Sequence, residues 1–391
     1  MSSPRSEVAA AAAASLERSD VGAVRATIGF DAFIDSIIHV VDQRFDMTPG
    51  GFRRIETIGG FAARAAAAAG KSTNLELVTI EQRFGGNGPL MAGSLGRLGA
   101  SVLYIGAVGR TDAPSKLHSI YEEFAGRCRL VIPVAPPATT DALEFDDGKI
   151  MLGKPANVQS VTWDLLKKSI GLDQIIEHVE RSTLVGMVNW VMMGGVEGIW
   201  SGLCDEVFPK LSNAPGKRVF IDLCDPAKRT DDDIRRAMKL IRRMNDQVPV
   251  TLGLNQAEAE RIAAVIAVPA FEESDNQTLG SAIRSAAALI RADLGLDCVV
   301  VHPREGAAAA SASAEPAWFE GPFTNNPRLS TGAGDHFNGG FALAQSLGLE
   351  LSQCLAVGCA TSGAYVRDAA SPDLRRLIEF LRALPPGESH T

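Results

Sequence analysis

Thr331-Gly332-Ala333-Gly334-Asp335 carries the strongest chemical signal in this chain. Small residues end in a carboxylate, and an apolar helical pattern follows at once. Gly332 and Gly334 let the backbone turn sharply and approach a ligand closely. A helix starting near Asp335 presents N–H groups without intrahelical partners and the positive end of its dipole. Such a terminus binds anions, phosphate above all. A carboxylate there is placed to take a proton from a hydroxyl beside the phosphate. These parts point to phosphoryl transfer from a nucleotide to an alcohol. The same residues also describe an ordinary capped loop, since Asp is a favoured capping residue, so the rest of the chain has to decide.

Three further clusters bear on the choice. Gly85-Gly86-Asn87-Gly88 lies between a strand and an amphipathic helix, where glycines admit a small ligand and Asn87 offers a donor and an acceptor. It is equally a tight strand-to-helix turn. Asn255-Gln256-Ala257-Glu258 follows a strand and opens a helix. Asn255 and Glu258, three apart, share a helix face and could hold a hydrated Mg²⁺; the same spacing is close to a capping box. Asp31 and Asp35 follow the first strand, at the end where open α/β sheets bind ligands, and either acid could grip sugar hydroxyls or sit in a solvated loop. His302 ends a strand before Pro303-Arg304-Glu305-Gly306, a position suited to touching a nucleotide base. The other histidines lack metal-ligand spacing, and no Ser-His-Asp or Cys-His arrangement favours hydrolysis. Ala65 to Ser72 matches a relaxed phosphate-loop pattern, but a helix-forming alanine run precedes Gly70, which suits a helix C-cap.

The elements that must position these residues alternate. Short apolar runs at 24–30, 75–80, 102–107, 130–134, 190–193, 218–223, 248–254 and 298–302 predict strands. Helical spacing predicts helices at 61–69, 88–98, 113–124, 231–244 and 279–294, and successive helices over 335–384. This alternation predicts an α/β fold with a mostly parallel sheet covered on both faces. Asp146-Asp147-Gly148 between two apolar runs is a hairpin signal. Hairpins near 36–60 and 140–160 could pair as a flap. Residues 1–23 are expected to be a helical or frayed extension before one α/β domain over 24–391.

The chain has 391 residues, 46% of them apolar, enough for a sizeable core. Its net charge is −8, which argues against a nucleic-acid partner. Six cysteines without a CxxC pair are expected to be reduced thiols of a cytoplasmic protein. No apolar run reaches the roughly 18 residues of a membrane span, and no membrane partner is expected.

In this order the motifs resemble the ribokinase-like (PfkB) carbohydrate and nucleoside kinase family, over about residues 24–384. The segment 105–112 is similar to the family's stretch after its Gly-Gly motif. The resemblance implies a three-layer α/β/α fold with a small β lid, and an ATP-dependent kinase acting on a small sugar with Mg²⁺. It implies that Asp335 is the base and that the amides of Gly332, Ala333 and Gly334 form the anion hole. Asp31, Asp35, Gly85, Gly86 and Asn87 would hold the acceptor. Asn255, His302, Gly306 and Thr331 would lie on the nucleotide, and Glu258 with Asn255 would organise Mg²⁺ through water. The partner would be a sugar or nucleoside acceptor, and a homodimer is compatible with the family. Leu329-Ser330 departs from the family's Asp-Thr pair. The Gly-Gly-Asn form is closer to related ADP-dependent sugar kinases. A nucleoside kinase, an ADP-dependent sugar kinase and a non-catalytic sugar or nucleotide sensor are therefore the other readings.

Overall fold

The computed structural model describes residues 4–271 and 278–388. Fourteen strands follow in order: β1 Arg25–Phe30, β2 Phe33–Arg44, β3 Phe52–Arg54, β4 Leu77–Gly85, β5 Ser101–Gly106, β6 Leu130–Pro133 and β7 Ala138–Phe145. Then come β8 Gly148–Lys154, β9 Leu184–Met187, β10 Arg218–Asp222, β11 Val250–Leu254, β12 Cys298–Val301, β13 Gly306–Ser311 and β14 Ala317–Glu320. Nine of them form one sheet in the order β14-β13-β12-β11-β10-β9-β1-β5-β6. From β12 to β6 every neighbour is parallel, while β13 and β14 close one edge antiparallel. The expected α/β fold with a mostly parallel sheet is what the chain forms.

β9 is buried at all four positions, and β1 at every position after Arg25. Strands covered on both faces lose the alternation of a half-exposed sheet and become continuous apolar runs. Each Val, Leu or Ile buried in this way contributes about 1.5–3 kcal/mol. β1 lies between β5 and β9, so the chain order reverses beside it. Connections leave on opposite faces at such a point and open a crevice above the strand ends.

Two expectations fail here. The run at 190–193 is not a strand; β9 lies just before it, and Trp190 is a fully buried side chain beneath a turn. The Trp190 indole donates to Glu197 at 3.0 Å, and the Arg229 guanidinium covers its ring at 4.5 Å. Bulk and apolarity alone do not separate a strand from a packed turn. The predicted helix over 113–124 shrinks to a short 3₁₀ turn Ser119–Tyr121 and one α turn Glu122–Ala125. Pro114 disfavours helix for the residue before it, and the His118 ring accepts from the Ile120 N–H at 3.2 Å, which starts the helical turn late.

β2, β3, β4, β7 and β8 make a second, smaller sheet. β7 and β8 pair from Phe145↔Gly148 outwards, so Asp146-Asp147 is the two-residue turn. One face of this sheet, Ile38, Val40, Leu143 and Phe145, packs under the helix Ile58–Ala66, whose Phe61 ring lies 5.7 Å from that of Phe145. The alanine run at 65–69 is the C-terminal end of that helix, followed by Gly70 at φ +77° and an exposed Lys71. No strand feeds it, so it is not a phosphate loop.

The helix Pro4–Arg18 is docked rather than frayed: Ala9, Ala12, Ala13 and Leu16 are buried at helical spacing against the C-terminal helices Leu351–Asp368 and Leu374–Arg382. Arg382 bonds Glu17 at 2.6 Å, and Arg5 bonds the carbonyls of Glu320 and Pro385. No helix among the described residues is long and apolar enough to cross a membrane.

Candidate active site

β4 of the small sheet ends at Gly85 and runs through Gly86 directly into the helix Asn87–Arg97. Gly86 has φ +102° and ψ 141°, a conformation open to glycine. A Cβ there would come within 2.9 Å of the Ala32 backbone. A Cβ at Gly85 would meet the Asp35 carboxylate at 2.3 Å, so the missing side chain makes room for that acid. Asp35 lies on β2, opposite Arg83 of β4 and Thr140 of β7. Partial burial raises its pKa above the usual carboxylate value, and the Thr140 hydroxyl opposes the shift.

Asp31 does not match the expectation of a sugar-gripping acid. It has no exposed surface. Its carboxylate accepts the N–H groups of Gly88 at 2.7 Å and Asn87 at 3.0 Å, and the Asn189 amide at 2.7 Å. Burial pushes its pKa up to about 6 against the pull of those donors. It is occupied by the protein's own groups.

The helix Ala333–Ser346 starts from Gly332, which is left-handed at φ +87°. The Ala333 N–H is taken by the Ser330 carbonyl at 3.2 Å, leaving Gly334 as the next amide of the first turn. Asp335 is buried, and its Oδ1 accepts the Asn87 side-chain amide at 2.9 Å. That bond joins the two glycine turns across 248 residues of sequence. Burial raises the Asp335 pKa well above its ordinary value, and the Asp222 charge adds to the rise; Asn87 opposes it, while Asp31 and Glu258 add smaller pushes. His336 points away from the Asp335 carboxylate. Its Nδ1 donates to the Gly332 carbonyl at 2.7 Å, so its Nε2 accepts from the Ser371 hydroxyl at 2.8 Å, and the ring stacks on Tyr365 at 3.6 Å. This neutral imidazole supports the Gly332 turn from behind.

On the far side of Gly334 a cavity of about 410 Å³ is lined by Asn255, His302 and Gly306 facing Ser330, Ala333 and Gly334. Thr331 departs from its expected place: its side chain is exposed, its carbonyl accepts the Tyr365 hydroxyl at 2.8 Å, and Ser330 lines the cavity instead. His302 packs against Phe337 with ring centroids 4.6 Å apart, and its buried Nε2 has no partner among the described residues. Burial pushes its pKa down to about 4, so the ring is neutral at pH 7. Asn255 and Glu258 form a full capping box. The Glu258 carboxylate accepts the N–H groups of Asn255 at 2.8 Å and Asp225 at 2.9 Å.

Asp222, at the C-terminal end of β10, belongs to this centre and was missed from the sequence. Burial, then the nearby Glu258 charge, push its pKa up to about 8; the Asn338 amide at 2.6 Å and the Cys224 N–H at 2.9 Å hold it. Two signals were available: an acid ending an apolar strand, and Asn338 three residues after Asp335 on the same helix face. Glu258 thus adds to the raised pKa of both Asp222 and Asp335, and Asp222 adds to that of Asp335, which ties the three acids into one centre. Among the described residues no three His, Cys, Asp or Glu side chains converge as a metal cage. The donor set fits a divalent cation held through water and phosphate, as Mg²⁺ prefers, because carboxylate and amide oxygens are hard donors and these do not enclose an ion.

The prokaryotic ketohexokinase family model matches residues 5–383. A ketohexokinase from Haloferax volcanii is 32% identical over 367 residues, covering 93% of this chain and 92% of that protein. Among solved structures, Arabidopsis thaliana ribokinase superposes with a TM-score of 0.61 at 17% identity, covering 92% of this chain and 98% of that one. A phosphofructokinase-2 mutant from Escherichia coli gives 0.60 at 14% identity, covering 92% and 98%. The two structures share the fold: a large, mostly parallel sheet between helices with a second small sheet. The chain thus belongs to the prokaryotic ketohexokinase family and is a ribokinase-like carbohydrate kinase, a phosphotransferase with an alcohol group as acceptor.

Proposed function

We propose that this protein moves the γ-phosphoryl group of ATP onto a hydroxyl of a ketohexose, with Asp335 as the base. The observation that carries the reading is the place of Asp335: a buried carboxylate on the first turn of a helix, with the Asn87 amide and the acceptor-side turn on one side and the cavity on the other. The ketohexose is supported by the family model and by the Haloferax volcanii relative. ATP as donor is motivated by the Arabidopsis thaliana ribokinase of the same fold, which is complexed with ribose and ATP.

In this reading Asp35, Gly85, Gly86 and Asn87 hold the acceptor against Asp335. Asp335 takes the hydroxyl proton as the oxygen attacks phosphorus. The Gly334 N–H and the positive end of its helix stabilise the phosphoryl oxygens. Asn255, His302 and Gly306 seat the nucleotide. Mg²⁺, held by Glu258 and Asn255 through water, would supply charge neutralisation for the phosphates when bound. The small sheet over 33–54 and 138–154 acts as the lid, excluding water that would compete as acceptor. The reaction belongs to the cytoplasm, where the six free thiols stay reduced.

The test is a coupled assay of purified protein with fructose and other ketohexoses against ribose and nucleosides, each with ATP and with ADP. Turnover selective for a ketohexose with ATP is expected. Preference for ADP, or for a nucleoside, would replace that part of the reading; saturable sugar binding without turnover would make the protein a sensor.

A further inference from the structure

Asp31 is a fully buried carboxylate without a cationic partner among the described residues, and no step above uses it. Burying such a charge is costly unless several donors meet it. Here three do, from two pieces of chain. Asn87 and Gly88 are the first residues of the helix Asn87–Arg97, and Asn189, left-handed at φ 64°, follows β9. The Asp31 side chain thus fills a helix N-terminus that would otherwise be free to hold an anion. The turn is shaped around it: a Cβ on Gly88 would meet the carboxylate at 2.7 Å, and one on Gly86 at 3.1 Å. The Tyr104 hydroxyl donates to the Asp31 carbonyl and locks the backbone too.

The outlet of this clamp is Asn87. Its backbone N–H binds Asp31 while its side-chain amide binds Asp335. We infer that Asp31 is a positioning residue: it holds Asn87 so that the Asn87 amide fixes the Asp335 carboxylate in place, and it does not touch the acceptor. The inference rests on Asp335 being the base. A shift of about 1 Å in a reacting group can cost 10²-fold in rate, which is the scale on which such a clamp acts.

Wild-type turnover of a ketohexose tests the kinase reading first and separately. The inference is then tested by a double-mutant cycle of Asp31→Asn, Asn87→Ala and the double variant. Because the two residues act in series, each single change is expected to lower kcat by about tenfold or more, and the double variant to fall within about threefold of the worse single. The nucleotide KM stays unchanged. Losses that multiply, or an Asp31→Asn protein with full kcat and a raised acceptor KM, would overturn the inference. If Asp31→Asn does not fold, Asn189→Ala, which leaves both backbone bonds to Asp31, takes its place under the same criterion. A readout that needs no turnover is solvent exchange of the ¹⁵N-labelled Asn87 side-chain amide. Exchange is expected to speed up in the Asp31 or Asn189 variant, and an unchanged rate would sink the proposal.

Discussion

Two glycine turns in this molecule use the same local device and end differently. At Gly85-Gly86-Asn87 and at Gly332-Ala333-Gly334, a glycine with positive φ throws the chain into the N-terminus of a helix. Each helix start offers N–H groups and a positive dipole end. At the first turn the protein supplies its own anion, Asp31, and the terminus is closed. At the second, Gly334 faces a cavity of about 410 Å³ and the terminus is left to a ligand. An N-terminus filled by a buried side chain becomes a rigid part; one left open becomes a binding site. The Asn87–Asp335 bond couples the rigid turn to the open one.

Asp335→Asn strikes where the turns meet. It is expected to lower kcat by ~10²–10⁴, the range for a general acid–base group, with the melting temperature kept. Turnover near wild type would remove Asp335 as base. The pH profile of kcat/KM sharpens the same point. Burial and Asp222 raise the Asp335 pKa, and only the ionised form accepts a proton. Activity should therefore fall as pH drops, by about tenfold per unit below a midpoint above the ordinary carboxylate range. A midpoint at or below that range would contradict the burial seen here.

Substituting the two turns separately should then split stability from binding. Gly86→Ala puts a Cβ against the Ala32 backbone in a conformation that L-residues avoid, and is expected to cost about 1–3 kcal/mol of stability, read by urea or thermal unfolding. Gly334→Ala meets only the His302 ring, at 3.5 Å, an ordinary contact. Folding should hold while the added methyl raises the nucleotide KM by about tenfold. If both variants lost stability alike, the contrast between closed and open termini would fail.

The last effect is a pH dependence, and it concerns Asp222. A carboxylate whose folded pKa is raised to about 8 contributes stability below its unfolded value, near 3.9, and that contribution is lost as pH rises through about 8. Asp222→Asn should therefore melt above wild type, by a margin that grows between pH 5 and pH 8. A constant difference across that range would mean that Asp222 is not titrating as its surroundings require.

The fold and the site were legible in the sequence to different depths. β1, β5, β11 and β12 and the helices Asp231–Asn245 and Leu279–Leu294 lie close to where apolar spacing puts them, because a buried face imposes its period on the chain. β9, β13 and β14 were not anticipated. β9 is a four-residue run holding a glycine, β13 is mostly alanine, and neither carries a local signal as strong as the turn at Trp190. At the site, Asp335 and the capping box of Asn255 and Glu258 were visible because helix starts are encoded within a few residues. The occupancy of Asp31 was not, since its partners come from positions 87, 88 and 189.

The sequence by itself determined where helices could begin beside glycines and which acids stood at strand ends, since both depend on neighbours in the chain. Tertiary structure decided which helix start was filled and which left open, that Asn87 meets Asp335, and that Asp222 joins the acidic centre. Those outcomes depend on which strand ends the sheet order brings together, and charges from distant segments feel each other only once burial removes the water between them.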